Sequence, residues 1–236
     1  WHPLRRLHLA AEYYHKIRRN EFDHTLDTTS NATTSLSRYP AYLRAHDFDT
    51  DDVNGRITWR PANALTLVAR YDFQFSTILT TPDGLASEQS AEMTSHILSG
   101  NVSWTPWSRL YLQAGVNYVT DETETPASSA VPSVQDAEND YWMAHLSAGF
   151  VLDDKTDLTA EYHFYRADNY ADNSAFGQPY GAGLEEQGIT TAVVRRLSNR
   201  VQVSLKYGFF TSHDQTSGGN NDFDSHLLYS AVQYRF

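Results

Sequence analysis

The sequence predicts an all-β chain of about ten antiparallel strands, and three observations predict it. Apolar and polar residues alternate with a period of two in segment after segment. The connections between those segments switch regularly between very short and long. No segment carries a 3.6-residue apolar period with helix caps, and no run of about 18 apolar residues offers a membrane-crossing helix.

The predicted strands lie near residues 4–20, 46–60, 64–79, 91–104, 109–123, 139–152, 157–169, 185–197, 200–213 and 223–236. In the third, Leu65, Leu67, Ala69, Tyr71, Phe73 and Phe75 fall on one face, and Thr66, Val68, Arg70, Asp72 and Gln74 on the other. The fifth sets Leu110, Leu112, Ala114, Val116 and Tyr118 against Tyr111, Gln113, Gly115 and Asn117. The eighth, GITTAVVRRL, has apolar residues on both parities, so its facing is open. The ninth sets Val201, Val203, Leu205, Tyr207 and Phe209 against Gln202, Ser204, Lys206 and Gly208. In the tenth, Leu228, Ser230, Val232, Tyr234 and Phe236 share one parity up to the last residue.

Four connections are short: RPANA, TPWSR, DDKTD and SNR. The rest are long and rich in Gly, Ser, Asn and Asp, such as TPDGLASEQSA and SHDQTSGGNND. A soluble β-sandwich mixes its loop lengths between its two ends, whereas short turns on one rim and long loops on the other suit a transmembrane barrel. Strands of about 14–17 residues also exceed the five or six usual in soluble sheets. Two of the short turns share the pattern W-x-P-x-x-x-L-x-L, from Trp59 and from Trp104. Trp suits a membrane–water boundary, because its ring is apolar and its N–H needs a wet partner. Trp1 opens a third copy of the pattern and so reads as the end of a further strand. On that reading residues 1–236 are the C-terminal portion of a longer barrel; a complete ten-stranded barrel is the alternative.

Composition is compatible with this fold. The chain has 18 Lys and Arg against 29 Asp and Glu, a net charge of −11, which argues against a nucleic-acid partner. Tyr, Phe and Trp number 15, 11 and 5, a strand-favouring weight of aromatics. With no cysteine there is no disulfide framework, thiolate zinc cluster or cysteine nucleophile. The mean hydropathy of −0.54 looks soluble, but a membrane barrel averages its lipid-facing and lumen-facing residues to such a value. The start WHPLRRLHL lacks the layout of a signal peptide.

The whole chain resembles Gram-negative outer-membrane β-barrels of the porin-like kind, and the sharpest motif is its terminal strand. Members commonly end in Phe with an aromatic two positions earlier; Phe236, Tyr234, Val232 and Leu228 match, and Ser230 matches less well. The resemblance implies an up-and-down barrel with short periplasmic turns and long extracellular loops. It further implies a place in the bacterial outer membrane among lipid and lipopolysaccharide, with the barrel-assembly machinery reading the last strand. Trp1, Trp59, Trp104, Tyr234 and Phe236 then belong to the interface girdle and assembly signal.

With the Leu/Phe/Tyr face towards lipid, the lumen receives Arg6, His8, Glu12, Lys16, Arg18, Arg56, Arg70, Asp72, His145, Glu161, His163, Lys206 and Arg235. Basic residues outnumber acidic ones in that set. This suits a channel for small polar or anionic solutes, or a wall of Arg–carboxylate pairs that hold its shape. A barrel portion of a larger transporter, or a sheath or scaffold for a partner protein or oligomer, is the alternative. An outer-membrane hydrolase would need a His with a carboxylate, and His163 with Glu161 is the available pair; no nucleophile motif accompanies it. Asp47, Asp49 and Asp51 share a face and suit hard cations, but lack the Gly and distal Glu of a calcium loop, so a solvated acidic strand end is the simpler reading. No cofactor motif is present.

Overall fold

The structure, a computed structural model, describes residues 1, 3–22, 43–82, 86–125, 137–171 and 181–235. Phe236 and most of the loops after Phe22, Thr125 and Ala171 lie outside them. Ten long strands follow in chain order: β1 (Leu7–Glu21), β2 (Leu43–Ala62), β3 (Leu65–Pro82), β4 (Glu88–Trp107), β5 (Leu110–Glu124), β7 (Tyr141–Asp153), β8 (Thr156–Asp168), β9 (Gly183–Arg196), β10 (Val201–Asp214) and β11 (Phe223–Tyr234). A two-residue β6 (Ala137–Glu138) lies beside the end of β5. Each long strand pairs antiparallel with the next in one up-and-down sheet. Among the described residues β1 and β11 do not pair, so the sheet is open between them.

Strands run through the Pro-bearing turns further than the alternation predicts. β2 reaches Ala62 and β4 reaches Trp107, each across a register shift that begins at its Trp, between Trp59 and Ala62 and between Trp104 and Trp107. Pro61 and Pro106 lie inside these shifts, since a residue without N–H can sit only where the ladder skips. Trp59 then pairs Leu67, and Trp104 pairs Leu112. Trp1 and Leu9 exchange both backbone bonds, at 2.9 and 3.0 Å, so the third W-x-P-x-x-x-L-x-L places its Trp and last Leu in the same relation.

Register settles the facing of every strand, because directly paired residues share a face. From Arg56 the ladder crosses Arg70, Ser99, Asn117, Met143, Tyr165, Glu186 and Ser212. The ambiguous β9 therefore turns Thr190, Ala192 and Val194 to this polar face, and Ile189, Thr191 and Val193 to the apolar one. The polar face is the enclosed one. Asp52 and Asp72 on it are 1% and 4% exposed, whereas Val53 and Tyr71 beside them are 50% and 46% exposed. The apolar face carries a band from Leu65 to Phe75 on β3. Ten steps of about 3.3 Å tilted about 40° span roughly 25 Å, the height of an outer-membrane barrel's apolar belt.

Candidate functional site

The enclosed polar face brings together most of the residues that the alternation assigns to the lumen. Register puts Lys16, Arg18, Arg56, Arg70, Asp72, His145, Glu161, His163 and Lys206 on it, and the alternation of β11 adds Arg235. Arg6 precedes β1 and bonds the Pro61 carbonyl and Asn63 Oδ1, tying the start of β1 to the β2–β3 turn.

A buried polar knot spans β1 to β4 midway along this face. Arg70 donates to Asp72 Oδ2 at 2.5 Å. Gln74 and Asn54 donate to the two oxygens of Asp52, and Thr50 bonds Ser76 at 2.8 Å. Asp52, Asn54, Asp72, Ser76 and Ser95 are all buried. Buried polar groups in such density hold only when hydrogen-bonded; here Arg70 and Asn54 bond acids two residues away on their own strands, and Gln74 and Ser76 bond across to β2. Asp72 Oδ1 alone in this group lacks one. Arg70 with Asp72 was legible as a same-face pair two residues apart; Asp52, Asn54, Ser76 and Ser95 carried no separate sequence signal.

Farther round the sheet, rings lie over glycines. Added to Gly115, Gly149 or Gly188, a Cβ would sit 2.2 Å from the His145 ring, 1.9 Å from the Tyr111 ring, or 2.4 Å from the His163 ring. His163 also packs against Phe210, with ring centroids 5.7 Å apart. Glu161 takes a 3.4 Å bond from Thr190 instead. His145 and His163 are paired neighbours across β7 and β8, and their rings cover bare backbone.

Charge on this face is not the simple basic excess that the alternation suggested. Register also brings Asp52, Asp121, Asp157 and Glu186 onto it, which closely offsets the basic residues. The runs DFDTDD and TDETE read in the sequence as acidic outer strand ends, but Asp52 and Asp121 within them pair Gln74 and Ser95 on the polar face. The basic excess sits instead at the short-turn rim. Arg5, Arg6, Arg60, Arg109, Lys155, Arg195, Arg196, Arg200 and Arg235 gather there, nine of the 18 basic residues of the chain. There Arg195 approaches Asp153 at 3.9 Å, and the Lys155 amide holds the Asp153 carboxyl below the usual range. A cavity of about 890 Å³ opens at this rim beside Arg196, Arg200 and Arg235.

The girdle and acidic candidates lie on the apolar face or its ends. Trp1, Trp59 and Trp104 stand exposed at the short-turn end, and Tyr234, which ends β11, is exposed at that same end of the strands. Asp47, Asp49 and Asp51 occupy the loop end of the apolar parity, where His15 contacts Asp49 at 3.2 Å and Asp51 at 3.1 Å, and Tyr13 donates to Asp51. Among the described residues no group of three or more His, Asp or Glu is arranged to hold a metal.

No protein-family model and no curated protein matches the sequence. Solved structures do match the fold. The outer membrane channel DcaP of Acinetobacter baumannii superposes with a TM-score of 0.54 at 10% identity, covering 81% of this chain and 58% of that one. The copper transporter OprC superposes with a TM-score of 0.62 at 14% identity, covering 98% of this chain and 41% of that one. The chain thus spans 58% and 41% of the lengths of these two proteins.

Proposed function

We propose, from the premise that this chain has the fold of Gram-negative outer-membrane β-barrels, that it forms the wall of a passive channel for small polar solutes. One observation carries the reading: an enclosed polar face runs unbroken through the register of ten strands, back to back with an apolar band. That face carries Arg, Lys, Asp, Gln and Ser, in keeping with the polar interior of an outer-membrane channel. Preference for anions is read from the basic short-turn rim rather than from the whole wall. No reaction is proposed. Among the described residues His163 makes no bond to a carboxylate, and its ring is committed to Gly188 and Phe210.

Purified protein added to a planar lipid bilayer is expected to give discrete conductance steps, with a reversal potential on the anion side under a salt gradient. Replacing Arg196, Arg200 and Arg235 together by Glu is expected to move that potential towards cations. A folded, inserted protein without conductance would overturn the channel reading; an unmoved reversal potential would overturn the anion preference alone.

The unpaired edges of β1 and β11 favour a second reading. Unsatisfied N–H and C=O groups are costly in a bilayer, so both edges need partners. Either they close on each other, or further strands of a larger barrel stand between them, as in the barrel portion of a transporter or a sheath for a partner protein. Mass and strand content of the intact protein in detergent distinguish the two. On either reading its neighbours are outer-membrane lipid and lipopolysaccharide, and the barrel-assembly machinery during biogenesis.

A further inference from the structure

The cavity at the short-turn rim has a more specific chemistry than a general channel mouth. It lies between the β7–β8 turn, the β9–β10 turn and the end of β11. Arg196 closes β9 and pairs Gln202, which in turn pairs Gln233, two residues before Arg235. The Arg235 amide bonds the Arg200 carbonyl at 2.8 Å, so the backbone holds these two residues side by side. Arg196 spends one amino group on the Asp154 carbonyl at 3.1 Å. Among the described residues neither Arg200, Arg235 nor Lys155 has a side-chain ion pair. Tyr111, on the polar parity, brings an aromatic ring to the same space.

We infer that this cavity is a binding site for a small organic anion carrying at least two negative charges and a flat apolar part. Guanidinium groups match carboxylate and phosphate oxygens with paired N–H donors. Four cations against Asp154 and Asp157 leave an excess that one carboxylate would not neutralise. About 890 Å³ is far more than an inorganic ion fills and lies within the range of organic-ligand pockets. The inference rests on the channel reading only for what the site serves: solute capture at the periplasmic mouth. Carboxylates and phosphate esters share the required chemistry.

Isothermal titration of the full chain in detergent decides it, with phthalate as aromatic dicarboxylate, phenyl phosphate as phosphate ester, and benzoate and benzyl alcohol as singly charged and neutral controls. One or both dianions should bind at least tenfold more tightly than benzoate, with benzyl alcohol not detected; whichever binds names the source of the oxyanion. The triple variant R196Q/R200Q/R235Q should lose at least tenfold in affinity, whereas R60Q, outside the cavity, should lose none. The charge series on the unaltered protein tests the site even if the triple variant does not fold. Equal binding of phthalate, phenyl phosphate and benzoate, or undiminished affinity in a folded triple variant, overturns the inference. Dianion binding without conductance leaves the site standing and removes the channel reading; conductance without dianion binding does the reverse.

Discussion

At Gly149 a single added carbon would lie 1.9 Å from the Tyr111 ring, so the flat packing of that ring depends on the missing side chain. Gly149→Ala is therefore expected to destabilise the folded protein by about 1–3 kcal/mol, the usual cost of overpacking. In a Tyr111→Ala background the same change should cost almost nothing, and urea unfolding in detergent measures both. An equal loss in the two backgrounds would show that ring and glycine do not meet. Asp214 supports a second residue-scale prediction, outside the membrane band. Thr216 donates to its carboxylate through hydroxyl and amide, and Asn221 adds a further bond, which lowers the Asp214 carboxyl to about 2. Gly218 and Gly219, with φ of 63° and 87°, let the loop turn back on it. Because the folded value lies below the unfolded one of about 3.9, this support is complete above pH ~4 and fades as pH falls through about 2. Amide-exchange protection at Thr216 should follow that window and be weak at every pH in Asp214→Asn. Protection unchanged down to pH 1.5 would contradict it. His145 and His163 could be placed on one face from the sequence, but not over glycines, since that depends on the register between strands rather than on any one strand.

On the element scale the five loop-side hairpins repeat one device. Tyr13, Tyr71, Tyr118, Tyr162 and Tyr207 occupy the apolar face of β1, β3, β5, β8 and β10. In two hairpins the pattern is nearly superimposable. Tyr71 bonds His96 at 2.7 Å with Phe73 packed on the same imidazole, and Tyr207 bonds His226 at 2.9 Å with Phe209 likewise. Tyr162 bonds Gln187, Tyr13 bonds Asp51, and Tyr118 stacks on Trp142 instead. Each of the four hydrogen-bonded rungs gives a phenol hydroxyl on the apolar face a polar partner on the next strand, so the ring can stay apolar while its oxygen is satisfied. Strand positions and the Trp–Pro turns were readable from alternation alone. The rungs were not, because each consists of residues far apart in sequence that meet only after pairing. Facing also predicts opposite fates for two adjacent residues. Leu205→Arg, towards lipid, should cost about 2–4 kcal/mol, while Ser204→Arg, towards the polar face, should cost much less. Unfolding titrations in lipid vesicles compare them, and equal costs would contradict the facing.

For the whole molecule, charge is separated along the strand direction. Basic residues crowd the short-turn rim, and acidic ones such as Asp47, Asp49, Glu92, Glu122 and Asp224 crowd the loop end. Summed over a protein surface, such separation sets a field of opposite sign at the two ends of the strands. The net charge of −11 concealed it, because a sum has no direction. Fold class, strand order and the two faces could be read from the sequence, since a period of two assigns sides without knowledge of neighbours. The buried knot around Asp52 and the cavity at the rim could not, since both join several strands. Everything proposed rests on one claim: the polar parity meets water and the other meets lipid. The chain has no cysteine, so single cysteines can be placed along β5 without background. With the protein in lipid vesicles, a membrane-impermeant thiol reagent present on both sides should label Gln113→Cys and Asn117→Cys. Leu112→Cys, Ala114→Cys and Val116→Cys should stay unlabelled until the membrane is dissolved. Labelling without alternation, or with the opposite parity, would contradict the account.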